Sequence, residues 1–191
     1  MTSLLAISGS PAVRSRTALL TGHLVQRLSL EGFQTGHVRV RDLPAAELLS
    51  GRADSPVLYR ALEAVSAADG VVVATPAYQA AYSGLLKTFI DLLPRNGLAG
   101  KAVLPLMTGG SHAHALAIDY ALRPVLSSLG PRHIVRGVFV LDTDIGIGAD
   151  GTLRVAPDTE PRLDQAVGEF LAALRSGVQQ PLLPSSRVAG G

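Results

Sequence analysis

The sequence predicts an α/β fold: a doubly wound, five-stranded parallel sheet in the order 2-1-3-4-5, with helices on both faces. Three observations carry this. Strand-like and helix-like segments alternate along the chain. The apolar runs at 4–7, 71–74 and 102–107 are too continuous for strands with one wet face, and suit a sheet covered on both sides. Each run then ends in a loop of glycine, proline and hydroxyl residues, the make-up of the binding edge of an open parallel sheet.

Leu4-Leu5-Ala6-Ile7 reads as a buried strand that leaves the sheet at Ser8-Gly9-Ser10-Pro11. Residues 16–30 follow with Leu19, Leu20, Leu24 and Leu28 at helical spacing, ending near Gly32. Residues 34–39 form a short strand, closed by Asp42-Leu43-Pro44. Ser55-Pro56 starts a second helix through Leu58, Leu62 and Val65, and Asp69-Gly70 turns into the β-branched run Val71-Val72-Val73-Ala74. A helix at 84–93, a strand at 102–107, a helix at 114–129 and a strand at 135–141 complete the alternation. Residues 142–161, rich in Gly, Asp and Thr, suit a small hairpin around Asp150-Gly151, and 161–175 is a last helix. No repeat or linker interrupts this, so residues 1–180 are expected to form a single domain, with 181–191 a mobile tail.

Composition excludes several classes of function. Hydrophobic residues at 47% and charged residues at 17% describe a packed globule without disordered tracts. No apolar run approaches the roughly 20 residues of a membrane span, and no charged segment precedes a cleavable signal, so a cytoplasmic location is expected. The absence of cysteine removes disulfides, thiolate metal sites, iron–sulfur clusters and cysteine nucleophiles together. The net charge of +2 comes from scattered arginines, with Lys87 and Lys101 the only lysines, and no basic stripe suits nucleic acid. His112 and His114 have no carboxylate beside them and read as polar loop residues rather than metal ligands.

The chemistry gathers at three loops. Between Gly9 and Thr17, hydroxyls and guanidinium groups crowd the place where a helix begins. A helix start presents unpaired N–H donors and about half a positive charge, so this loop reads as a phosphate cradle. It has neither Gly-x-x-x-x-Gly-Lys nor Gly-x-Gly-x-x-Gly. The plainer reading is that Ser15 or Thr17 merely caps the helix. The loops that follow the next two buried strands, residues 75–84 and Thr108-Gly109-Gly110-Ser111-His112, fall on the same sheet edge. They offer backbone amides and the rings of Tyr78 and Tyr82 to a flat ligand ring. Any Cβ at Gly109 or Gly110 is expected to intrude on that ring or to strain a positive φ. Lys87 and Asp91 read as an ordinary i,i+4 pair.

Gly9-Ser10-Pro11, the Ser15/Thr17 spacing, Thr75-Pro76-x-Tyr78-x-x-x-Tyr82-Ser83-Gly84-x-x-Lys87 and Thr108-Gly109-Gly110, in that order over residues 4–140, resemble the NADPH-dependent FMN reductase family. Ala80-Ala81-Tyr82-Ser83-Gly84, Asp91-Leu92-Leu93-Pro94 and Asp119-Tyr120-Ala121-Leu122-x-Pro124-Val125-Leu126 are similar to members that supply reduced FMN to alkanesulfonate monooxygenases. The resemblance implies a flavodoxin-like fold, hydride transfer from NADPH or NADH to FMN, and a monooxygenase partner in organosulfur desulfonation. It implies FMN contacts from Ser10, Arg14, Ser15, Arg16 and Thr17 in the first loop. In the second it implies Pro76, Ala77, Tyr78 and Ser83, and in the third Thr108, Gly109 and Gly110. It implies no catalytic acid, base or nucleophile. The family usually places Arg directly after Ser-Pro; this chain has Ala12 there, leaving Arg14 or Arg16 to meet the phosphate. Two other readings stand beside this one. The first is a reductase with tightly held FMN acting on quinones, azo dyes or metal oxyanions. The second is a flavodoxin-type electron carrier, which would be strongly acidic where this chain is net positive.

Pro124 lies inside the helical pattern and cannot donate to the carbonyl of Tyr120 four residues earlier, which predicts a kink or a π-bulge there. Leu122, Val125, Leu126 and Leu129 form one apolar face, with Ala113, Leu116, Ala117 and Tyr120 nearly opposite, so a second side is expected to pack on another subunit. The resembling reductases carry an inserted tyrosine in a π-helix at a tetramer interface. The resemblance therefore implies a homotetramer, with Tyr120 at the interface tuning flavin release.

Overall fold

The N-terminal apolar run forms β1 (Ser3–Ser8), with a neighbouring strand on each side. In the computed structural model, which describes residues 1–149 and 152–178, β1 pairs in parallel with β2 (Gln34–Arg39) and with β3 (Gly70–Pro76). β3 pairs in parallel with β4 (Ala102–Gly109), and two short strands, β5 (His133–Ile134) and β6 (Val138–Leu141), share the remaining side of β4. The order is 2-1-3-4-5 as the sequence predicts, with the fifth place filled by two pieces rather than one continuous strand.

A proline explains the interruption. Val135 donates its N–H to the carbonyl of Val103 at 3.0 Å. In a parallel ladder the N–H two residues further along β4 would return the bond to the Val135 carbonyl, but that residue is Pro105. The Arg123 guanidinium takes its place, donating from Nη2 to Val135 O at 3.2 Å and from Nη1 to Ile134 O at 3.1 Å. Pairing resumes at Leu106 with Val138. A Cβ on the intervening Gly137 would overlap Ile118 and press on Pro105, so only glycine fits the gap.

The helices are α1 (Arg16–Leu30), α2 (Ala45–Ser50), α3 (Pro56–Ala67), α4 (Gly84–Ile90), α5 (Arg123–Ser127) and α6 (Glu160–Val178). The expected helix at 84–93 is shorter, ending at Ile90 in α4. Short α2 has no counterpart in the sequence reading: its six residues, set between Pro44 and Gly51 at φ 68°, are too few to show a period. The continuous helix expected at 114–129 is instead a 3-10 turn at His112–His114, a π-helix at Ile118–Leu122 and then α5. β7 (Ile145–Ile147) and β8 (Leu153–Val155) form the expected antiparallel hairpin, whose tip at Asp150 and Gly151 lies outside the described residues. The tail expected at 181–191 also lies outside them.

Alternate strand residues serve two cores. Leu5, Ile7, Val71 and Val73 pack in one cluster with Leu58 of α3, Phe89 of α4 and Leu126 of α5. Leu4, Ala6, Val72 and Leu104 join the other, with Leu20 and Leu24 of α1 and Phe170 of α6. β3 and β4 are buried along their whole lengths, which is why their sequences read as unbroken apolar runs. Burying each large apolar side chain contributes about 1.5–3 kcal/mol. Among the described residues no helix is long and apolar enough to cross a membrane.

Candidate functional site

The carboxyl ends of β1, β3 and β4 bring the three loops together, and hydroxyl groups tie them to one another. The Gly9 N–H donates to Ala74 O at 2.9 Å, and the Ala77 N–H donates to Thr108 O at 2.7 Å. The Ser83 hydroxyl donates to the Gly9 carbonyl while accepting from the Leu86 N–H at 3.0 Å, and the Ser83 N–H donates to Thr75 Oγ1 at 2.9 Å. Thr17 Oγ1 and Thr108 Oγ1 share a buried hydrogen bond of 2.7 Å. A Cβ on Gly9 would overlap Leu86, so a glycine is what lets the first turn of α4 close on the first loop.

At the head of α1 the serines keep unspent donors. Ser15 accepts from the Ala18 N–H at 3.0 Å, and Ser10 accepts from the Ala12 N–H at 3.3 Å. Both side chains are buried, and neither hydroxyl gives its proton to an acceptor among the described residues. The first turn of a helix adds N–H groups that have no partner within the helix. A buried donor without an acceptor is costly, so this cluster fits an anion. Arg14 and Arg16 flank it, exposed and without an ion pair among the described residues. Behind it, His37 Nε2 lies 2.9 Å from Ser8 Oγ. Burial, with Arg39 nearby, holds the His37 imidazole below its ordinary value against an opposing pull from Asp42.

The second loop places its two tyrosines differently. Tyr82 packs against the core, whereas Tyr78 is exposed beside half-buried Ala77 and buried Pro76. Tyr78 and Ala81 exchange both backbone hydrogen bonds, at 2.9 and 3.0 Å, around Gln79 and Ala80 at φ 48° and 61°. Two adjacent left-handed residues without a glycine are strained. The Tyr120 hydroxyl, reaching from the π-helix, donates to the Ala80 carbonyl at 2.7 Å.

Two expectations need correction. Neither Gly109 nor Gly110 has a positive φ. A Cβ on Gly109 would lie 3.0 Å from Phe139 Cζ and 3.2 Å from Ala77 Cβ, so those side chains would have to give by a few tenths of an ångström, while one on Gly110 would meet open space. Ala117, expected on the outward side of its helix, is fully buried, although Leu116 and Tyr120 are exposed as that side requires. His112 and His114 lie on a 3-10 turn, where the His112 ring packs 6.2 Å from that of Phe139. The strained turn and the Arg123 clamp escaped the sequence reading, and Pro105 in a central strand was the signal for the second. Lys87 and Asp91 pair as expected, at 2.6 and 2.9 Å, and the carboxylate holds the ammonium above its ordinary value.

Residues 2–146 match the family model described as NADPH-dependent FMN reductase. FMN reductase (NADPH) of Escherichia coli (strain K12) is 43% identical over 185 residues, which span 96% of each chain. NADH-dependent FMN reductase SfnF of Pseudomonas fluorescens (strain Pf0-1) is 35% identical over 144 residues, 74% of this chain and 77% of that one. Among solved structures, the apo form of an NADH:FMN oxidoreductase (EMOB) superposes with a TM-score of 0.81 at 42% identity, covering 98% of this chain and 94% of that one.

Proposed function

Because the chain belongs to the NADPH-dependent FMN reductase family, we propose that it holds FMN by its phosphate at the head of α1 and releases it, once reduced, to a monooxygenase. The chain is an NAD(P)H:FMN oxidoreductase, and FMN and NAD(P)H are its cofactors. The observation that carries the binding proposal is the pair of buried serine hydroxyls with protons to give, Ser10 and Ser15, set beside a helix start. They fit the dianionic phosphate of FMN and would have nothing to bind in riboflavin.

Bound flavin supplies a hydride acceptor, and this chain supplies position. Ser10, Ser15 and the first N–H groups of α1 fix the phosphate, with Arg14 or Arg16 closing over it. Thr17 and Thr108 join the first loop to the third, and Ser83 joins the second to the first, so a ring seated between them meets a rigid frame. Pro76, Ala77 and Tyr78 face that ring from one loop and the Gly109-Gly110 backbone from another. Hydride transfer needs the two rings at about 3–3.5 Å and little acid–base help, so position supplies most of the catalysis.

Release is assigned to the strained turn. Gln79 and Ala80 follow Tyr78, which this reading sets against the ring, and Tyr120 holds their turn from the π-helix. Leu116, Tyr120 and Tyr78 are exposed on this side, an apolar patch suited to further copies of the chain in a homotetramer. The resemblance of residues 80–84, 91–94 and 119–126 to reductases that supply alkanesulfonate monooxygenases favours an organosulfur monooxygenase as the consumer of reduced FMN. Steady-state rates with FMN varied test the proposal. Saturable dependence on added FMN is expected. Rates independent of added FMN, with quinone or azo dye as acceptor, would assign the chain a resident flavin instead.

A further inference from the structure

A groove of about 1280 Å³ runs along the outer side of α1, from Arg14 and Ser15 beside the phosphate cradle to Leu30 and Glu31. Ligand pockets commonly occupy about 300–1,000 Å³, so the space exceeds what one small ligand needs. His37 and Arg39 of β2 and Ile147 and Leu153 of the hairpin line it as well. Val13, Leu19, Leu30 and Ile147 all present exposed apolar side chains to this one groove. Single exposed apolar residues need no explanation, but four around one groove do. Arg14 stands at the cradle end without a carboxylate partner among the described residues. The acid Glu31 lies at the opposite end and pairs with Arg27, which Asp164 also holds.

Gly22 supplies an independent sign. It sits in the middle of α1, where glycine costs roughly 0.5–1 kcal/mol against alanine. A Cβ there would meet nothing within 4 Å, so packing does not demand the glycine. Its position in the groove gives it a use: a flat group can lie against bare helix backbone.

We propose that this groove is a subsite for the adenosine-phosphate half of a dinucleotide whose other half occupies the flavin crevice. The inference rests on the reading of residues 9–17 as the FMN phosphate site. The chemistry matches part by part. A purine is flat and apolar on its faces, like the stretch from Leu19 past Gly22 towards Ile147, and its linking phosphates are anionic, as the Arg14 end requires. Two ligands of this enzyme class carry that half. NAD(P)H brings it whenever the nicotinamide reaches the flavin, and FAD would extend it directly from the phosphate position that FMN fills.

The probe is 5′-AMP, measured as an inhibitor of the purified full chain. Gly22→Phe fills the groove floor, Gly22→Ala adds a single methyl to it, and Ile147→Glu sets a carboxylate on an exposed wall should the first variant fail to fold. Gly22→Phe and Ile147→Glu should each raise the inhibition constant of 5′-AMP at least tenfold. Gly22→Ala, which covers the bare backbone with one methyl, should raise it by a smaller factor, and FMN affinity should stay within twofold throughout. A raised KM for NADPH, with reduced nicotinamide mononucleotide unaffected, assigns the groove to the nicotinamide dinucleotide. Selective loss of FAD reduction, with the mononucleotide as donor, assigns it to FAD. Unchanged 5′-AMP inhibition in both variants, with FMN bound at parental affinity, overturns the subsite. Failure of the cradle reading would appear separately, as equal losses of FMN and riboflavin in Ser15→Ala.

Discussion

Ser15 accepts from the Ala18 N–H to cap α1, and in the proposed site the same hydroxyl gives its proton to the FMN phosphate. Ser15→Ala should lower stability by about 1 kcal/mol through the lost cap. It should also weaken FMN by roughly 10- to 150-fold, the worth of one bond to a charged group. Isothermal titration with riboflavin alongside separates the two effects, since riboflavin has no phosphate to lose; equal weakening of both would leave Ser15 only its cap. His37 sets a pH dependence. Its folded imidazole is held below the 6.5 of an unfolded chain, so as pH falls through that value the unfolded state takes up a proton that the folded state resists. Stability should therefore fall on acidification below about 6.5. Urea midpoints for His37→Gln, which keeps a partner for Ser8, should fall less steeply over that window, and identical profiles would remove His37 from the effect. The crowded hydroxyls of the first loop were legible in the sequence because caps and cradles use the same residue types. The turn at Gln79 and Ala80 was not, because positive φ is usually announced by glycine or asparagine and here is imposed by contacts from elsewhere in the fold.

At the scale of elements, two prolines wrote what their neighbours did. Pro124 withholds the N–H that Tyr120 O expects, and the chain opens into a π-helix over Ile118–Leu122, with the Arg123 N–H reaching five residues back to Ile118 O. That irregularity was readable from spacing alone. Pro105 breaks the fifth strand by the same deficit, yet β-branched and aromatic residues from 135 to 141 read as continuous, because a strand's sequence does not show what its partner lacks. The two breaks meet at Arg123, which pairs with Asp119 at 3.0 Å and supplies both carbonyls of the interrupted strand. Deleting Tyr120 should restore regular helix upstream of α5 and free the Ala80 carbonyl. The expected result is a yellow protein that retains FMN through gel filtration and has lost turnover of free flavin. A colourless variant with parental turnover would deny Tyr120 any part in release.

For the molecule as a whole, the alternating pattern and the buried runs of β1, β3 and β4 specified the sheet, and the sheet order then placed three loops distant in sequence on one edge of it. What single-sequence patterns could not convey was which hydroxyls bond to other groups of the protein. Ser83, read as a flavin contact, donates to Gly9 O, and Thr17 shares with Thr108 a hydrogen bond that either can donate, while Ser10 and Ser15 donate to no acceptor among the described residues. The exposed Leu116, Tyr120 and Tyr78 predict a tetramer in sedimentation velocity, and a monomer at micromolar concentration would leave that patch without its proposed cover. The central claim is that FMN passes through this protein and does not reside in it. Anaerobic reduction with NADPH and several equivalents of FMN, followed by rapid ultrafiltration, measures this directly. Reduced FMN should appear in the filtrate in amounts exceeding the enzyme many times over. Flavin reduced only to the extent of the enzyme present, and held back with the protein, would contradict the claim.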